Sequence, residues 1–154
     1  MAASIADRLK ELGIDLPAPA AAAANYVPAR RSGNLLVIAG QLPMEAGAVR
    51  YHGKLGAGVS LKDGQAAARL CAINILAQVK AACGDLESIA ACLRLGGFVA
   101  CTPEFTDHPK VVNGASDLMV GVLGEAGKHA RAAVGVPSLP FDAAVEVEAM
   151  FELR

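Results

Sequence analysis

His129-Ala-Arg-Ala-Ala-Val-Gly-Val-Pro-Ser-Leu-Pro-Phe-Asp-Ala-Ala-Val-Glu-Val-Glu-Ala149 is the stretch on which the fold turns. Two β-rich arms flank a Pro-x-x-Pro-x-Asp segment, and Pro and Asp are turn formers. The pattern predicts a β-hairpin with residues 137–142 as its loop. Val136 then pairs with Ala143, Arg131 lies opposite Glu148, and Ala133 lies opposite Glu146. Side chains alternate along a strand, so Arg131, Glu146 and Glu148 share one face in this register. The second arm divides sharply. Val145, Val147, Ala149, Phe151 and Leu153 form an apolar face. Glu146, Glu148, Met150 and Glu152 form the opposite one. A slip of one residue would part Arg131 from the glutamates.

These residue types suggest a chemistry. A guanidinium on a strand is a planar fork that fits a carboxylate. A glutamate beside it can move a proton or orient a water. Together they point to a small carboxylic acid and to metal-free acid–base chemistry.

At 154 residues the chain reads as a single domain, large enough for a real core. Residues 1–24 form an N-terminal helix and a Pro/Ala arm, and residues 25–154 form the core. Hydrophobic residues make up 54 % and aromatic residues 4 %, so the core is aliphatic. The surplus of apolar side chains reads as surface that another subunit covers. Net charge is −1, with no basic block, which argues against nucleic acid as a partner. No continuous apolar run of membrane length stands out, so no membrane partner is expected. Asp7, Arg8, Lys10 and Glu11 interrupt any secretory core. Cys71, Cys83, Cys92 and Cys101 lack CxxC spacing and read as reduced thiols in a cytoplasmic protein.

Along the chain, Ser4 and Asp7 resemble a capping box for a short helix with the stripe Ile5, Leu9, Leu12, ended by Gly13. Residues 25–31 and 34–40 read as strands joined at Ser32-Gly33. The unbroken run Leu35–Ala39 suggests burial on both faces. Residues 43–58 form a long loop. Ser60 opens the longest helix, with Ala67, Leu70, Cys71, Asn74, Ile75, Gln78 and Val79 inward and Gly84 as its cap. Residues 89–101 form the next strand, with a bulge suggested at Gly96-Gly97. Asp107 opens a helix to Leu123 with Val111, Ala115, Leu118, Met119 and Val122 inward. This order predicts an α+β fold, a mixed sheet with helices on one face.

The ordered set of marks resembles the Rid/YjgF-like family, the reactive intermediate deaminases, also called endoribonuclease L-PSP-like. The marks are Asn25-Tyr26-Val27, Gly33-Asn34-Leu35-Leu36-Val37-Ile38-Ala39-Gly40-Gln41-Leu42-Pro43, Asn113, Arg131, and Leu139-Pro140-x-Asp142-x-x-Val145-Glu146-Val147-Glu148-Ala149. The resemblance covers roughly residues 25–153. It implies a chorismate-mutase-like fold assembled as a homotrimer with ligand clefts between subunits. It further implies hydrolysis of 2-imino or enamine acids to 2-oxo acids and ammonia without a cofactor. Arg131 then binds the substrate carboxylate and Glu146 positions or activates water. Tyr26, Gly40 and Asn113 match positions that line the cleft. Many relatives carry a cysteine where this chain has Ala133, and the N-terminal helix and the 43–58 loop are additions. The chain thus resembles a side branch of the family.

Two other readings stay open: a non-catalytic small-carboxylate binder or sensor on the same trimeric scaffold, and a structural trimer whose cleft the 43–58 loop fills. His52, His108 and His129 lack metal-ligand spacing and read as surface or capping residues. Gly53–Gly58 lacks the Lys-Ser/Thr ending of a phosphate loop. No serine lies in a GxSxG context.

Overall fold

The computed structural model describes all 154 residues. It opens with helix α1 (Ile5–Glu11), whose capping box is complete: Ser4 Oγ accepts from Asp7 N–H and the Asp7 carboxylate accepts from Ser4 N–H. Ile5 and Leu9 pack against the core, whereas Leu12, expected in that stripe, is exposed. Strands β1 (Ala29–Ser32) and β2 (Leu35–Gln41) form a hairpin around Gly33, which adopts φ 58. β1 starts later than the sequence suggests. Pro28 lacks an N–H to extend the ladder, though its carbonyl accepts from Ala39 N–H at 2.9 Å. Tyr26 therefore lies outside the strand.

The 43–58 segment is more ordered than a loop. It holds two small ladders, antiparallel β3 (Met44–Glu45) with β4 (Ala48–Val49), and parallel β5 (Lys54–Leu55) with β6 (Gly58–Val59). Asn74 Nδ2 donates to the carbonyls of Leu42 and Met44 at 3.1 and 3.0 Å, and Leu55 is fully buried. This segment packs on the core.

Helix α2 (Leu61–Cys83) starts at Ser60, whose Oγ accepts from Asp63 N–H, and ends at Gly84 with φ 78. Its length and apolar composition would suffice to cross a membrane. The fold supplies another reason for that composition. α2 is buried on more than one side, with Ala68, Ala72, Ile73 and Leu76 buried alongside the expected stripe, while Leu70 is only half-buried. Strand β7 (Ile89–Ala100), helix α3 (His108–Leu123), strand β8 (Ala130–Val136) and strand β9 (Val145–Leu153) complete the chain.

The five long strands form one mixed sheet in the order β1-β2-β9-β7-β8, antiparallel except for the parallel pair β7–β8. α2 and α3 cover one face. The α+β architecture expected from the sequence is present. The terminal hairpin is not. β7 lies between β8 and β9, pairing Arg131 with Leu95 and Glu148 with Gly96. Arg131 is therefore not opposite Glu148, nor Ala133 opposite Glu146. The physical reason is that β7 carries inaccessible Leu95 and Val99 and gains a ladder on each edge by lying inside. Residues 137–144 are long enough to step over one strand, a distance of about 10 Å.

The face assignment within β9 holds: Val145, Val147, Ala149, Phe151 and Leu153 are buried under the helices. β2 behaves likewise. Leu36 and Ile38 are buried, but Leu35 and Val37 are 42 % and 43 % exposed on the open face, so β2 is not covered on both sides. The bulges of β7 fall between Ile89 and Ala91 and between Cys92 and Arg94, not at Gly96-Gly97. Those glycines serve close approach. A Cβ at Gly97 would stand 2.7 Å from a Val112 methyl of α3, and one at Gly96 would stand 2.7 Å from the Glu148 carboxylate.

Candidate active site

β9 carries Glu146 on the open face of the sheet, opposite Phe98. The β2–β9 register breaks between Ile38 and Gln41, which brings Gly40 beneath the glutamate. A Cβ at residue 40 would collide with the Glu146 carboxylate, so only glycine leaves room for it there. Glu146 is half-buried and has no ion-pair partner, whereas Glu148 pairs with Arg94 at 3.3 Å. Burial, and secondarily the negative charge of Glu148, raises the Glu146 carboxyl above the ordinary carboxylate value. A carboxylate so placed is a better base at neutral pH than an exposed one.

Gly40 also lines a cavity of about 110 Å³ with Tyr26, Ala20–Ala23, Leu42 and Phe141. Its floor is a buried amide network. Gln78 Nε2 donates to the carbonyl of Ala20 at 2.7 Å and to Gln41 Oε1 at 3.4 Å. The Pro/Ala arm is thus fastened to α2. Tyr26 and Gly40 lie together, as the sequence suggests.

Arg131 is elsewhere. Because Arg131 pairs with Leu95, which points into the core, its side chain leaves β8 on the helix-covered side. The expectation that Arg131 and Glu146 share a face fails with the hairpin: they occupy opposite faces, on strands separated by β7. Arg131 Nη1 donates to Ser116 Oγ at 3.0 Å and Nη2 to the Pro109 carbonyl at 3.1 Å. His129 Nδ1 lies 2.6 Å from the Gly127 carbonyl, which can only accept, so Nδ1 carries a proton. In the neutral ring Nε2 then accepts from the Ser116 hydroxyl at 2.8 Å, and the Ser116 oxygen accepts from Arg131. The half-buried guanidinium is aimed by this chain and faces no carboxylate. Asn113 is exposed on α3, between Pro109 and Ser116 at spacings that put all three on one side of the helix.

The predicted residues therefore form two half-sites: Arg131 with Asn113, and Glu146 with Gly40 and Tyr26. Ser116 and His129 were not singled out as site residues. The spacing carried a signal for one of them, since His129 and Arg131 are two apart on an extended chain and so point the same way. No group of three or more His, Cys, Asp or Glu side chains converges on a point that would hold a metal ion.

The chain matches known proteins over nearly its whole length. Residues 6–153 match the family model described as "YjgF/chorismate_mutase-like, putative endoribonuclease". The Trypanosoma cruzi protein TCP17 is 49 % identical over 151 residues, 97 % of this chain and 94 % of that protein. The crystal structure of Atu1372, a protein of unknown function from Agrobacterium tumefaciens, is 55 % identical with a TM-score of 0.92, covering 97 % of this chain and 92 % of that one. The structure of a "putative endoribonuclease" from Shewanella oneidensis is 38 % identical with a TM-score of 0.95, covering 98 % and 100 %. With the α+β sheet and a family match over residues 6–153, the chain belongs to the YjgF/chorismate-mutase-like family.

Proposed function

We propose that this protein is a cytoplasmic hydrolase of reactive 2-imino and enamine acids, working as a homotrimer whose sites lie between copies. The observation that carries this reading is a pair of unmet charges. Arg131 is aimed by two hydrogen bonds, keeps further N–H donors free and has no carboxylate. Glu146 is half-buried and has no cation. One ligand cannot touch both within one chain, because they lie on opposite faces of the sheet. A cleft that takes Arg131 from one copy and Glu146 from the next supplies both.

In such a cleft the guanidinium binds the substrate carboxylate bidentately. Glu146 takes a proton from a water as its oxygen adds to the imine carbon, and the imine nitrogen is protonated. Collapse of the carbinolamine expels ammonia and leaves the 2-oxo acid. Tyr26, Gly40 and Asn113 line the cleft around the substrate. An activated C=N bond needs little barrier reduction, so binding and one base suffice.

The test is turnover of freshly generated 2-imino acids, followed as 2-oxo acid appearance above buffer. Arg131→Ala should abolish binding and turnover, and Arg131→Lys should recover little, since an ammonium lacks the planar fork. Glu146→Gln should bind and not turn over. Unfolded together and refolded, the two inactive variants should regain about a quarter of wild-type activity, because a mixed ring rebuilds one intact site of three. No recovery in verified mixed trimers would rule out the shared cleft. Binding of small carboxylates without any acceleration by the wild type would make the protein a sensor on the same scaffold.

A further inference from the structure

Where β7 and β8 end lies a second constellation, which shares no residue with either half-site although His108 adjoins Pro109. Cys101 follows β7, and its N–H donates to the Val136 carbonyl at 3.1 Å. His108 is the first residue of α3. Cys101 Sγ and His108 Nε2 are 3.4 Å apart. Phe105 meets the imidazole edge-on, with centroids 5.4 Å apart and planes at 87°. Gly135 lies beneath the pair: a Cβ there would stand 2.5 Å from Nε2 and 2.7 Å from Sγ. Glycine weakens a strand, so its place here has a local reason, and that reason is room for both reactive groups.

The pair opens into a cavity of about 540 Å³. Pro103, Phe105, Val136 and Pro137 give it apolar walls, and Lys54 brings an ammonium that has no ion-pair partner. The other thiols lack this setting. Cys71 and Cys92 are buried, and burial pushes the Cys92 thiol up to about 12. Cys83 is half-buried with no histidine bonded to it.

We propose that Cys101, His108 and Gly135 form a nucleophilic thiol site for small anionic enones, molecules with an alkene conjugated to a neutral carbonyl and a carboxylate elsewhere. His108 Nε2 takes the thiol proton. The sulfur lone pair forms a bond to the β-carbon, and the alkene π pair moves to the enolate. The proton on Nε2 then passes to the α-carbon. The product is a thioether with the mass of protein plus ligand, and no oxidant or reductant is consumed. Lys54 pairs with the carboxylate.

The folded full-length protein is treated at pH 7 with limiting 3-maleimidopropionate, and the modified residue is found by intact mass and peptide mapping. Cys101 should react first, about tenfold or more faster than the same residue in the urea-unfolded chain, whose thiol is only a few per cent thiolate. His108→Gln should bring the rate down to the unfolded value. Lys54→Met should erase the preference for this probe over uncharged N-ethylmaleimide while leaving the latter's rate. Cys101→Ser should leave imine turnover unchanged, so this site and the proposed hydrolase stand or fall separately. Labelling at Cys83 first, or a folded rate no higher than the unfolded one, overturns the proposal without recourse to any variant. Equal rates for the two probes overturn the anionic ligand class.

Discussion

Glu146 is held at a cost that pH reveals. Its folded-state carboxyl is raised above the unfolded value, chiefly by burial and then by Glu148. The folded chain therefore holds this proton more tightly than the unfolded chain. Its contribution to stability is fully present below the unfolded value and is lost as pH rises through the folded one. Glu146→Gln removes the buried charge and keeps the shape. Melting temperatures should show the variant more stable than wild type at pH 7, with the gap closing as pH falls below the ordinary glutamate range. A constant gap at all pH values would mean that Glu146 is not the titrating group. Arg131 shows the complementary arrangement, a cation aimed through Ser116 and His129 with its remaining donors unused. Both residues were legible as unusual in the sequence. Gly40 was legible through the family resemblance; Ser116 was not, because it meets Arg131 through packing between α3 and β8.

At the scale of elements, the helix limits were the most legible feature. Ser4, Ser60 and Gly84 act at short range through the backbone of their own turn, and each stands where its spacing implied. Gly96 and Gly97 were legible as an irregularity but not as its kind. They mark places where Glu148 and α3 press close to β7. Gly97→Ala should therefore push against buried Val112 and cost about 1–3 kcal/mol, the usual range for overpacking. Thermal unfolding should show a fall of roughly 2–12 °C for a chain of this size. A variant as stable as wild type would mean that α3 yields without loss.

For the whole molecule, the open face of the sheet sets the question. Leu35, Val37 and Val134 are exposed there at 42, 43 and 44 %, beside the acidic row Glu146, Glu148 and Glu152. If copies join through this face, light scattering should give three times the chain mass of 15.7 kDa. Val37→Glu adds a like charge to that row and a desolvation cost of several kcal/mol on burial. It should dissociate the assembly and abolish imine turnover together, while circular dichroism reports an intact fold. An assembly unmoved by Val37→Glu would place the contact elsewhere.

The sequence by itself determined the helices and their caps and the division of β9 into a buried and an open face. All of these rest on backbone geometry or periodicity within a few residues. Only the tertiary structure decided which strand lies beside which. Two arms joined by a turn run antiparallel whether they touch or another strand lies between them, and a period of two does not count strands. Placing β7 between β8 and β9 cost the chain no local rule. It moved Arg131 to the helix side of the sheet and left Glu146 on the open side, so that one small ligand cannot meet both within a single chain.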